Sequence, residues 1–122
     1  MKRDMDLIRQ IVLAVQAADG PVFGVEGIDN KDFCVHAQLL DEAGLVACPP
    51  SIRGQLAPPN KAVIFRLTWA GHDFADSITD NTIWKKAKDN VIKPSASWTF
   101  SILMEYLKIE IKRHIPGMES LP

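Results

Sequence analysis

No run of about 18 apolar residues occurs in this 122-residue sequence, so no segment is long enough for a membrane-spanning helix. Cysteine is scarce. Cys34 and Cys48 can close one bridge at most, which excludes the disulfide-dense scaffolds of small secreted domains. The start, Met1-Lys2-Arg3-Asp4, leads into a stretch broken by Asp6, Arg9 and Gln10, without the continuous apolar core of a secretory signal; the expected compartment is the cytoplasm. Excess charge of either sign is missing too. Lys and Arg total 14 against 15 Asp and Glu, a net charge of −1, so there is no global footprint for nucleic acid or an anionic membrane, and any such binding must be local.

Catalytic signatures are likewise absent: no glycine-rich phosphate loop, no nucleophile elbow and no paired carboxylates in an apolar setting. Cys34 and His36 are two apart, which on a helix points them to different sides, and with Cys48 alone beside them they make no zinc set. His72 and Asp76, four apart, read as local polar pairing near a helix start. The chain is expected to be no enzyme and to hold no metal and no cofactor.

What is present is an ordinary globular composition, 47% hydrophobic and 24% charged with a mean hydropathy of −0.01, sufficient for one domain with one core. From Asp4 to Ala18, Met5, Ile8, Ile11, Val12 and Val15 recur at steps of three and four and define one helical face. Asp19-Gly20-Pro21 ends that helix, and Pro21 to Asp29 suits a short strand and turns. Asp29 or Asn30 caps a second helix with Phe33, Ala37, Leu40 and Ala43 evenly spaced and Gly44 as its stop. Leu45 to Ala47 and Ala62 to Leu67 read as strands; the proline-rich segment between them cannot join a ladder and reads as an exposed hairpin loop. Thr68 caps a helix through His72, Phe74 and Ile78. Asp80 or Asn81 starts another, carrying Ile83, Trp84, Ala87 and Val91. Ser95 or Ser97 opens the last helix, which runs to about His114. Trp69, Trp84 and Phe74 are read as core residues.

A helix followed at once by a two-stranded hairpin is the winged-helix layout. Val35 to Val46, with its leucine pair followed by acid-Ala-Gly-Leu-Val, resembles a winged-helix recognition helix running into the wing. Arg66-Leu67-Thr68-Trp69-Ala70-Gly71-His72 resembles the Leu-Thr-x-x-Gly element that leaves the second wing strand in small bacterial regulators. The chain as a whole resembles the bacterial and phage domain-of-unknown-function family numbered 2513. The resemblance rests on Met1 to Arg9, Val35 to Val46, Leu67 to Phe74, Thr82 to Lys86 and Ser95 to Leu107. It implies a fold and a phage or mobile-element setting, and no activity to assign to residues. One departure stands out: Pro21 to Asn30 has no helical period, so the helix usually preceding the recognition helix is absent or reduced to a turn.

The expected architecture is therefore α+β, a single domain over 1–122 with a winged-helix-like core over 1–70, a reduced helix-turn-helix plus a two-stranded wing, and a helical extension over 71–115. Charge is unevenly placed on it. Residues 19 to 46 hold six acids and one lysine, whereas residues 47 to 66 hold three cations and no acid. Lys31, His36 and Gln38 are the residues of the second helix able to face a groove, and Arg53 and Lys61 can reach phosphate from the loop. The basic trio Lys85, Lys86 and Lys88, flanked by Asp80 and Asp89, reads as a solvated helix face.

On the last helix, Trp98, Ile102, Tyr106 and Ile109 line one side and Phe100, Leu103, Leu107 and Ile111 another, an apolar arc wide enough for a homodimer through Trp98, Ile102, Tyr106 and Ile109 or for two contacts within one chain. Two functions stay open. One is nucleic-acid (DNA) binding through Lys31, Gln38, Arg53 and Lys61. The other is a protein-interaction module that offers the acidic helix 30–42 to a basic partner.

Overall fold

A computed structural model describes residues 2–52, 57–94, 98–115 and 117 of the chain. Among the described residues the protein is α+β, with five α-helices and a small two-stranded antiparallel sheet, in two compact units, residues 1–75 and 76–122.

The first unit begins with α1 (Met5–Ala17), capped by Asp4, whose carboxylate accepts from the Asp6 and Leu7 amides. Its buried residues are Met5, Ile8, Ile11, Val12 and Val15, the stripe the sequence period marks out. Each contributes on the order of 1.5–3 kcal/mol by leaving water. The strand expected after Pro21 is a single antiparallel bridge, Val22 to Ile64, with both amide–carbonyl bonds at 2.9 Å.

Helix α2 (Asn30–Glu42) starts at the Asp29 cap and packs on α1. It ends in a Schellman motif: Leu45 N–H donates to Leu40 O and Gly44 N–H to Asp41 O, with Gly44 at φ +75°. Strands β1 (Val46–Ala47) and β2 (Arg66–Leu67) pair in the register Val46 with Leu67 and Ala47 with Arg66. Phe65 N–H also donates to Ala47 O, so two residues of one strand face one of the other, a bulge. The bulge lets Ile64 and Leu67, three apart, both enter the core. Within the loop, Ile52 is buried and donates to Pro49 O, so this part of the loop is tucked inward and not exposed as its prolines suggest.

Helix α3 (Trp69–Ser77) is tied to the end of α2 by Thr68. The Thr68 hydroxyl donates to Gly44 O at 2.6 Å and accepts from Gly71 N–H at 3.1 Å, while Thr68 N–H donates to Leu45 O. Gly71 faces Leu45, where a β-carbon would overlap the carbonyl oxygen. Trp69 lies two positions earlier, about 200° round the helix, and is 86% exposed; the expectation that it belongs to the core is corrected. Phe74 and Trp84 are buried as expected.

In the second unit, α4 (Asn81–Ala87) is capped by Asp80 and continues as a π turn, Lys88–Ile92. Helix α5 (Phe100–His114) packs on both. Its cap is Thr99, which accepts from Ile102 N–H. Ser95 and Ser97 lie outside the described residues.

Candidate functional site

Helix α2 is the element on which both functional expectations depend, and it has little open surface. Phe33, Cys34, His36, Ala37, Gln38 and Leu40 are buried, and only Asn30, Lys31 and Glu42 are exposed. His36, expected on a groove-facing side, is 1% exposed. Its Nε2 accepts the Asp4 N–H at 2.9 Å and its Nδ1 lies 2.7 Å from Asp32 O. The amide must donate, so Nε2 is unprotonated and Nδ1–H donates to the carbonyl. His36 is thus a strut between two helix starts. Gln38 is buried as well, and its Nε2 donates to Ala57 O at 3.4 Å, which ties α2 to the hairpin loop. The outward placement expected for His36 and Gln38 is corrected by these two bonds. The acidic face of 30–42 shrinks in the same way, since Asp32 and Asp41 are half-buried.

The N-terminus of α2 meets the far end of the loop. Asn30 Nδ2 donates to Asn60 O at 2.9 Å, and Asn30, Lys31, Pro58, Pro59 and Asn60 line a cleft of about 350 Å³. Lys61 follows directly and is exposed. Two of the four residues expected to contact nucleic acid, Lys31 and Lys61, thus stand exposed beside this helix–loop contact, while Gln38 lies two turns further along α2 and bonds Ala57 O. Arg53 lies outside the described residues.

Two features escaped the sequence reading. The first is the outer side of the Val22–Ile64 bridge. Side chains alternate along extended strands, so Pro21 and Phe23 on one segment, and Lys61, Val63 and Phe65 on the other, lie opposite Val22 and Ile64. Burial agrees: Ile64 is fully buried, while Phe23 is 72% and Phe65 49% exposed. The continuous apolar run Ala62 to Phe65 hid this alternation. The second is an acid-free stretch. From Ala43 to His72 there is no Asp or Glu, a span that holds both strands, the loop and the exposed Phe65, Arg66 and Trp69.

Titratable groups elsewhere hold the fold together. Burial pushes the Cys34 thiol above its ordinary value, against a smaller opposing effect of the Ala62 backbone. Its Sγ reaches Asn30 Oδ1 at 3.8 Å. Asp89 is held below the usual carboxylate range by hydrogen bonds from Lys85 at 2.7 Å and Lys93 at 3.4 Å. Glu110, buried on α5, takes Arg113 at 3.0 Å and Lys86 at 3.7 Å. The trio at 85–88 is thus partly spent on neighbours, as the flanking acids suggest. Among the described residues no group of three His, Cys, Asp or Glu is placed to hold a metal ion, and no helix is long and apolar enough to cross a membrane.

On α5, Leu103 and Leu107 are fully buried, Phe100 and Ile111 half-buried. Ile102 and Ile109 are 52% and 51% exposed, whereas Tyr106 is half-buried, its hydroxyl accepting from Asn90 Nδ2 at 2.8 Å; Trp98, expected on this helix, stands before its Thr99 cap and is half-buried.

Residues 2–97 match the family described as Hypothetical protein (DUF2513). The chain belongs to the DUF2513 family. A relative in Haemophilus influenzae, described as an uncharacterized protein, is 33% identical over 97 residues, 75% of this chain and 79% of that one. No solved structure matches the chain. The DUF2513 match takes in the first unit and α4 and stops short of α5, although the sequence resemblance was drawn as far as Leu107.

Proposed function

We propose that this DUF2513 protein is a non-catalytic, reduced winged-helix module that binds nucleic acid through its hairpin and not through α2. Support for the winged-helix assignment is the order α1, bridge strand, α2, β1, loop, β2, with the strand at Val22 pairing beside the second hairpin strand. Between the Val22 bridge and α2 stands a turn, where a scaffold helix would be.

The observation that carries the binding reading is the acid-free hairpin, with exposed Lys61, Arg66, Phe65 and Trp69 on one continuous span. Cations supply the sequence-independent attraction to phosphate, and exposed aromatics add contacts to bases. A buried α2 removes ordinary major-groove reading. The test is a gel-shift salt series on a random-sequence nucleic acid. Affinity falls steeply with salt and is lost on Arg53→Glu together with Lys61→Glu; no binding at low salt sinks the proposal.

The outward side of α5 supports a second reading, self-association. Ile102 and Ile109 sit seven apart, so they share a face, with Glu105 between them and Lys108 and Lys112 toward the C-terminus. Packing two copies through this face covers both isoleucines of each. The occupant this reading names is a second copy of this chain, since one two-fold contact covers the same pair of isoleucines on each.

A further inference from the structure

We infer that the outer face of the small sheet, Phe23 and Phe65 with Lys61 and Arg66 beside them, is a stacking platform for the unpaired bases of a single-stranded nucleic acid. The inference rests on the nucleic-acid reading above and names its substrate class. It begins with register. Val22 and Ile64 exchange both backbone hydrogen bonds, which fixes the neighbouring pairs as Phe23 opposite Val63 and Pro21 opposite Phe65. Phe23 and Phe65 are then diagonal neighbours on one face, about 7–8 Å apart. Both are exposed at the same time as Ile64, between Val63 and Phe65, is fully buried. Two large rings flanking one backbone bridge and left in water are costly to keep unless something covers them.

Charge selects the occupant. On the 61–66 side the exposed cations Lys61 and Arg66 meet no acid on their own strand or on β1. On the Phe23 side stand Asp19 and Glu26. A strand lying across the rings thus runs its phosphates along the Lys61–Arg66 side and away from the acids. A duplex cannot use the rings, because its bases are stacked on one another and show only their edges; unpaired bases show their faces. The one helix shaped for a duplex groove, α2, is covered along most of its length.

The experiment is fluorescence polarisation of the full chain with a labelled oligothymidylate of about 15 nucleotides and, in parallel, with a duplex of equal length at the same low salt. The expected result is tighter binding to the single strand, weakened about 5-fold or more by Phe23→Ala and by Phe65→Ala, which is the scale of losing one base–aromatic stack. Phe65→Trp retains binding, and Glu26→Lys strengthens it. Both phenylalanines are exposed, so a thermal melt of each variant at the wild-type temperature separates lost stacking from lost fold. Equal or tighter duplex binding, or single-strand binding indifferent to both alanine variants, overturns the platform and leaves the nucleic-acid reading standing. Binding to neither probe overturns both.

Discussion

Gly71 packs against the carbonyl of Leu45 so closely that the smallest side chain would collide with it. The contact is a backbone–backbone approach, closed by the Thr68 hydroxyl, which bridges Gly44 O and Gly71 N–H. It gives the Leu67-Thr68-x-x-Gly71 spacing a physical meaning: threonine caps α3 and pins it to the end of α2, and glycine permits the approach.

Gly71→Ala therefore destabilises the protein by at least about 1–3 kcal/mol, the range for forcing a methyl into a packed site. Gly20, with open space around it, serves as the control, since Gly20→Ala meets no neighbour. Urea unfolding of the two variants checks this through the shift in midpoint at constant slope.

His36→Ala removes the acceptor of the Asp4 amide and leaves a void between α1 and α2. The expected cost is about 1–3 kcal/mol for the unpaired buried donor, with more for the cavity. The amide of Asp4 itself reports the change: its hydrogen exchange accelerates well beyond that of Ile11, which lies mid-helix.

The raised Cys34 thiol makes a statement about pH. Its contribution to stability is fully present below the ordinary thiol value and is lost as pH rises through the higher folded value, because the unfolded chain ionises first. Unfolding midpoints for the wild type thus fall in that alkaline window more than those of Cys34→Ala. At neutral pH, Cys34 reacts with a thiol reagent only as fast as the fold opens.

If α5 mediates self-association, light scattering at rising concentration shows mass moving toward twice 13.6 kDa. Ile102→Asp with Ile109→Asp returns the monomer without unfolding it, since both residues are half exposed. A monomer at every concentration removes the self-association reading.

Local pattern carried much of the architecture. The α1 stripe, the Asp29, Thr68 and Asp80 caps and the Gly44 stop are all set by neighbours within a turn, and each is where the period and capping chemistry place it. What local pattern could not report was the partner of a polar side chain. His36 and Gln38 look outward by residue type, yet the Asp4 amide, 32 residues away, and Ala57 O, 19 away, draw them inside. Trp69 erred in the opposite direction: a tryptophan is a natural core candidate, but the glycine two residues on fixes which side of α3 turns inward. Phe23 and Phe65 were hidden because an all-apolar strand gives no alternation to read, and only the Val22–Ile64 bridge tells its two faces apart.

That same bridge separates two kinds of mutational freedom. Ile64 faces inward and answers to the core, whereas Lys61, Val63 and Phe65 answer to whatever lies outside, although all four sit on one short extended segment. Selection can rewrite the outer three without repaying the cost in folding, so divergence in ligand preference among relatives has a ready channel in the odd-numbered positions of 61–65, while the even ones stay bound to the fold.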